Sequence, residues 1–324
     1  MEFTWKDLLV SIVYSVGTVA LFGMLAFFPL LNVLLILCPV PYIYLTVKRG
    51  WVTGAISFVL SACLTGVLLF PLFILLFIVL FGPCVAVVSY ILLRRRAVFE
   101  SVLISAGVLL FSLGAFLGII YLYVRKDLFA LTAEGVGRLL SGSMASFDSM
   151  MKLYREAGIL NQTMTVEEIV EGIDKTLRMI FPSVMILMAL VGGFMIYALS
   201  LVLLRRRHPD FPSFPPFANW AMPKGMGMGF LGMIGVAYLG YLLGAPNFQL
   251  VLLTIINLLS FIFLVQGLAL EEFLLKRKKV HKLLRILLLT ISFVFFQYML
   301  TIAGVFEQFF HVRSIIRFKD TGIR

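Results

Sequence analysis

The chain consists of long apolar runs, and its basic residues come in tight clusters after every second run. The runs fall near 8–28, 30–47, 51–69, 71–93, 98–124, 180–204, 225–244, 250–272 and 283–305. A bilayer core takes about 20 apolar residues per helix, and most of these runs reach that length. Hydrophobic residues make up 61% of the chain and charged residues 13%, against about 45–50% and about 25% in soluble domains. Mean hydropathy is +1.06. One water-surrounded core cannot hide that much apolar surface. The expected fold is therefore an all-α polytopic integral membrane helix bundle. Pro29 separates the first two runs, and Pro39 and Pro41 interrupt the second. The count stays open between eight and nine spans. The first run has no basic leader beyond Lys6 and no small-residue cleavage site, so it is read as a retained helix.

The basic clusters are Lys48–Arg49, Arg94–Arg96, Arg205–Arg207 and Lys276–Lys279 with Lys282. Two spans separate each from the next, so all four can share one side. The positive-inside rule makes that side the cytosol and puts the N-terminus there too. The net charge of +11 follows from this sorting. It marks membrane lipids as partners rather than nucleic acid, since no basic face belongs to a soluble domain. With nine spans the basic C-terminal tail ends outside, and with eight it ends inside.

One domain is expected over 1–324, because no long Ser, Gly or Pro linker divides it. An external insert spans about 125–179, with seven basic and eight acidic residues. Val136, Leu140, Met144, Phe147, Met151 and Tyr154 recur on one helix face. Thr165-x-x-Glu168 is a capping box, and Val166, Ile169, Val170, Ile173 and Leu177 continue as a second amphipathic helix into the next span. Such a hairpin rests on the membrane or the bundle, or serves as a lid over an outward cavity. A cytosolic loop of about 205–224 contains "RRRHPDFPSFPPFANWAMPKG". Its prolines predict a stiff extended backbone. Phe214, Pro215, Pro216, Phe217 and Trp220 are its candidate docking residues, either as a headgroup strap or as a rod for a partner.

The sequence contains no HExxH, GxSxG or Walker A pattern, so no catalytic residue is assigned, and no enzyme activity, metal or cofactor is expected. Cys38, Cys63 and Cys84 lie in apolar runs and read as packing residues. Charges such as Glu100, Glu271, Glu272 and Arg285 sit at run ends, which argues against a proton pump. The candidate solute-lining residues are the uncharged polar ones, Asn32, Asn257, Gln266, Gln297 and Tyr238. The commoner role for each is an interhelical hydrogen bond, since polar side chains in membranes usually act as glue. Gly225-xxx-Gly229 and Gly240-xxx-Gly244 predict close helix packing, and Gly82-Pro83 predicts a kink.

Four features in order, "PVPYIYLTVKRG", "FGP", the helical insert and "FPPFANWAMPKG", make the chain resemble the YybS-like family of bacterial multi-pass membrane proteins. That resemblance implies the bacterial cytoplasmic membrane. It also implies a distant similarity to the S components of energy-coupling-factor transporters. These bind small solutes and dock on a partner, an ATPase-bearing module. The small-residue docking motif of that group has its nearest equivalent in Ser11-xxx-Ser15. Two functions follow as expectations: a solute-binding, transport-related bundle, or a membrane scaffold or regulatory protein that docks a membrane or cytosolic partner through its Pro-rich loop.

Overall fold

The structure is a computed structural model. It describes residues 4–26, 35–125, 127, 129–133, 135, 166–206, 208–223, 225–244 and 247–320. Those residues form helices and connecting turns, with no strand among them. By packing, the chain divides into two compact units, Met1–Pro212 and Ser213–Arg324. The division falls inside the proline-rich segment.

The first unit contains α1 (Trp5–Ala26), α2 (Pro39–Arg49), α3 (Trp51–Leu68), α4 (Leu72–Leu93), α5 (Val98–Val124) and α6 (Val166–Arg205). Proline opens α2, where a missing N–H costs nothing. Gly50, at φ 98°, both ends α2 and starts α3, a reversal that an L side chain would strain. α2 is 11 residues long, about 16 Å at 1.5 Å per residue. That is too short to cross a bilayer, so the expected 30–47 run is not a full helix where it is described. It forms the core of the unit instead. Tyr42 and Ile43 are fully buried, and the Tyr42 ring meets Phe58 edge-on at 5.4 Å.

α1 and α3 meet along hydroxyls. Ser15 Oγ donates to the Ser57 carbonyl at 2.8 Å, and Ser11 Oγ to that of Thr53 at 3.4 Å. On α3, Ser57, Ser61 and Thr65 each donate to the carbonyl four residues back. Small side chains that satisfy their own hydroxyls let two helices approach where lipid offers no hydrophobic drive. Ser11 and Ser15 are fully buried by this contact. The equivalence to an exposed docking motif therefore fails, because both residues are spent inside the unit. α5 and α6 approach through Gly193, where a Cβ would collide with the backbone of Ser105 and Ala106.

Three contacts fix the direction of these helices. Arg178 pairs with Asp127 at 2.6 Å, Gly193 lies on Ala106, and the Arg95 guanidinium sits 5.4 Å from the Phe211 ring centre. As numbering rises along α5 it falls along α6, so the two are antiparallel. The α3–α4 hairpin returns Arg94 to the end where α3 begins, and Arg49 binds Asp7 at 2.5 Å beside it. The first three basic clusters therefore share one end of this unit.

The second unit contains a short 3-10 turn (Phe217–Asn219), then α7 (Met226–Leu242), α8 (Phe248–Arg277), α9 (Lys282–Phe295), α10 (Gln297–Phe310) and α11 (Val312–Asp320). α8 and α10 cross through reciprocal glycines. A Cβ on Gly267 would collide with the Leu300 carbonyl, and one on Gly304 with the Phe263 carbonyl. Of the glycines expected to pack closely, Gly225, Gly229 and Gly244 meet nothing within 4 Å among the described residues. α9 has no buried residue. It is tied to α8 by Arg285–Glu272 at 3.3 Å and by Ser292 Oγ donating to Glu271 at 2.8 Å.

Among the described residues, five helices are long and apolar enough to cross a membrane: α3, α4, α5, α6 and α8. A sixth crossing exists if α9 and α10 count as one, but they bend by 104° at Phe296. The expected 283–305 run is thus a broken pair, and α7, at 17 residues, is shorter than the helices that qualify. Pro83 lies inside α4, which continues through it. Most of the expected insert, including Thr165 and the first stripe from Val136 to Tyr154, lies outside the described residues. From Val166 the chain runs as one helix into the span. The three cysteines are free: Cys38 and Cys84 are buried as expected of packing residues, whereas Cys63 is exposed.

Candidate functional site

The densest polar grouping in the second unit lies under the proline-rich segment. α8 contributes Gln266, α10 contributes Glu307 and Gln308, and α11 contributes Arg313. All four are at most 6% exposed. α10 ends at His311, whose left-handed φ of 51° reverses the chain. That turn brings the Arg313 amide to Glu307, where it donates to Oε2 at 3.1 Å. A carboxylate at the first turn of α11 is also favoured by the helix dipole.

The Arg313 guanidinium hydrogen-bonds three carbonyls and forms an ion pair with Glu307. Its Nε lies 3.2 Å from Glu307 Oε1. Its Nη1 donates to the carbonyls of Ala218 at 3.0 Å and Trp220 at 2.8 Å, and its Nη2 to that of Gln266 at 3.4 Å. The planar fork of arginine suits this several-way contact better than an ammonium would. Gln266 Nε2 donates to Gln308 Oε1 at 3.2 Å, and Gln308 Nε2 to the Pro223 carbonyl at 3.1 Å. Gln266 Oε1 is buried without a hydrogen-bond partner among the described residues. One arginine and one glutamate balance in charge, as burial away from water requires.

The segment above is folded rather than rod-like. Pro216 keeps an extended backbone, but Phe217–Asn219 then turn, and the Trp220 indole N–H donates back to the Pro215 carbonyl at 3.0 Å. The Trp220 ring lies 5.2 Å from Phe217 and 6.2 Å from Phe214. All three rings are half-buried, Pro215 is half-buried and Pro216 is exposed. The candidate docking residues therefore form one aromatic patch, held from beneath by Arg313.

The solute-lining candidates do not come together. Only Gln266 belongs to the cluster. Asn257 is half-buried further along α8, Gln297 is exposed at the start of α10, and Tyr238 is exposed on α7 beside Tyr241. Asn32 lies outside the described residues. Sequence reasoning missed Glu307, Gln308 and Arg313 as partners. The signal was an acid–amide pair closing an apolar run six residues before an arginine, and the expected run was ended at 305, just short of it. Among the described residues no three His, Cys, Asp or Glu side chains gather as a metal site requires.

Apolar helices of spanning length with a charge-balanced polar cluster define a multi-pass helical membrane protein. The chain belongs to the family described as "Predicted membrane protein (DUF2232)", whose model matches residues 16–307. It is also similar to "Uncharacterized protein YybS" of Bacillus subtilis (strain 168), with 22% identity over 320 residues covering 96% of this chain and 93% of that one. The YybS-like resemblance read from the sequence is thereby found again. No solved structure matches.

Proposed function

We propose that this chain works by binding rather than by catalysis, as a scaffold or regulatory protein of the bacterial cytoplasmic membrane. Its docking surface is the Phe214–Phe217–Trp220 patch, on the cytosolic side. The observation that carries this reading is the Arg313 clamp on the Ala218 and Trp220 carbonyls. Holding three half-buried aromatic rings in one arrangement removes most of the ordering cost of association. Aromatic anchors that become buried on association dominate interface energies.

A photo-crosslinking residue at Ser213, which is exposed, tests this in intact cells. One discrete adduct is expected, and it should disappear in a Phe214→Ser/Phe217→Ser variant that keeps its thermal stability. A smear unchanged by that variant would refute docking. Impermeant thiol labelling of Ser213→Cys tests the side: reaction only in inverted vesicles is expected.

A second reading, a solute-binding bundle, draws on one observation, the unpartnered Gln266 Oε1. Native mass spectrometry separates the two. A retained small molecule lost in Gln266→Leu supports the solute reading, while the Phe214 variant alone affects the crosslink.

A further inference from the structure

The first unit gathers cations at one end and neutralises only some of them. Arg49 is paired with Asp7 and Arg96 with Glu100, each at 2.5 Å. Arg94, Arg95, Arg205 and Arg206 have no carboxylate partner among the described residues, and all four are exposed. Arg94 lies 5.4 Å from the Tyr90 ring centre, and Arg95 the same distance from Phe211. Arg95 holds φ at 50°, a left-handed turn that ends α4 and aims its side chain at the segment following α6. The α4–α5 turn and the end of α6 therefore close on one another through Arg95 and Phe211.

Exposed apolar side chains stand within four residues of these cations in sequence. Leu93 is 44% exposed, Phe99 52% and Val202 47%. The adjoining charges and apolar side chains match a molecule with an anionic head and a hydrocarbon tail. A free phosphate ion would use the first feature and not the second. We propose that Arg94, Arg95, Arg205 and Arg206 form a seat for one anionic phospholipid. Its phosphate lies between the α4–α5 turn and the end of α6, and its acyl chain runs down past Leu93, Phe99 and Val202. Guanidinium forks bind phosphate oxygens in pairs. Tyr90, at the end of α4 beside Arg94, is a residue type enriched at the headgroup level. The proposal does not rest on the role given to the aromatic patch of the second unit.

The test is native mass spectrometry of the full chain in an uncharged detergent, titrated with phosphatidylglycerol or phosphatidylcholine. Wild type is expected to retain one phosphatidylglycerol above a background of weaker adducts, and to show no such step with phosphatidylcholine. Each arginine near a membrane surface contributes a factor of about five in affinity. Arg94→Gln/Arg95→Gln and Arg205→Gln/Arg206→Gln should each weaken retention about 25-fold on that basis, and the fourfold variant should abolish the step. Lys276→Gln/Arg277→Gln/Lys278→Gln/Lys279→Gln removes four positive charges of the second unit and should leave the step in place. Equal loss from the two sets would show diffuse attraction and overturn the seat. So would equal retention of phosphatidylcholine, or displacement of the lipid by millimolar inorganic phosphate. Size-exclusion elution accompanies every variant. If the fourfold variant misfolds, the two double variants decide alone.

Discussion

Arg313→Met removes a cation that is 5% exposed and leaves Glu307, 6% exposed, as a buried charge without its counter-ion. Breaking a buried pair by deleting one partner costs about 3–5 kcal/mol. The carbonyls of Ala218 and Trp220 lose their donor as well, at about 1–3 kcal/mol for each group left dry. Water reaching the half-buried Trp220 relieves part of that, so these costs do not add in full. A net loss of about 4 kcal/mol is expected, within the range for a broken buried pair. Arg313→Met/Glu307→Leu removes both charges and replaces them with apolar volume. It should recover most of the loss, because a buried ion pair is close to neutral against a well-packed apolar substitute. Reversible unfolding in mixed micelles gives the stabilities. Trp220 fluorescence, in a Trp5→Phe/Trp51→Phe background, reports on the loop directly. Arg313→Met should shift its emission to the red as the Phe217 contact and the Pro215 hydrogen bond loosen. A single-variant loss under about 1 kcal/mol, the size of an exposed pair, would refute the clamp. A double variant as unstable as the single one would refute the charge argument while leaving a packing role.

The two kinds of glycine should respond in opposite directions. Gly304→Ala pushes a methyl into the Phe263 carbonyl and should cost about 1–3 kcal/mol or more, as overpacking does, whereas Gly229→Ala enters open space and should be neutral or stabilise α7 by up to about 1 kcal/mol. Equal thermal shifts for both would contradict the α8–α10 crossing. Asp127 receives a hydrogen bond from Arg178, with smaller help from the Phe129 and Ala130 amides, and its carboxyl is held below the usual value. A lowered folded value means that its stabilisation is present above the unfolded value of about 4 and is lost as pH falls through the folded value. The stability difference between wild type and Asp127→Asn should stay flat from neutral pH down to about 4 and disappear only below it, and loss already at pH 5 would show that Arg178 does not hold the group.

Membrane class was legible because it depends on composition and run length. Apolar residues in this proportion have no aqueous core to fill, whatever their arrangement. Helices α3, α4, α5, α6 and α8 lie where the apolar runs place them, since backbone groups in lipid must bond within their own segment. The gathering of the first three basic clusters at one end was legible too, from their spacing by pairs of runs. Run length could not show that Pro39–Arg49 is a short core helix, nor that the last run breaks at Phe296. Both depend on neighbours that satisfy or cover a segment once it is packed. The glycines show the same limit. Gly225 and Gly229 carry the motif and meet nothing within 4 Å among the described residues, while Gly267 and Gly304, 37 positions apart in sequence, carry the helix crossing. A small residue permits close approach, but only the partner's backbone decides whether approach occurs. The polar cluster was least legible of all. Gln266, Glu307 and Arg313 come from three separate elements, and their types alone suit lipid-facing ends or a headgroup anchor equally well. The reversal at His311 is a local backbone event that turns a tail arginine inward, and only the folded chain brings it under the proline-rich segment.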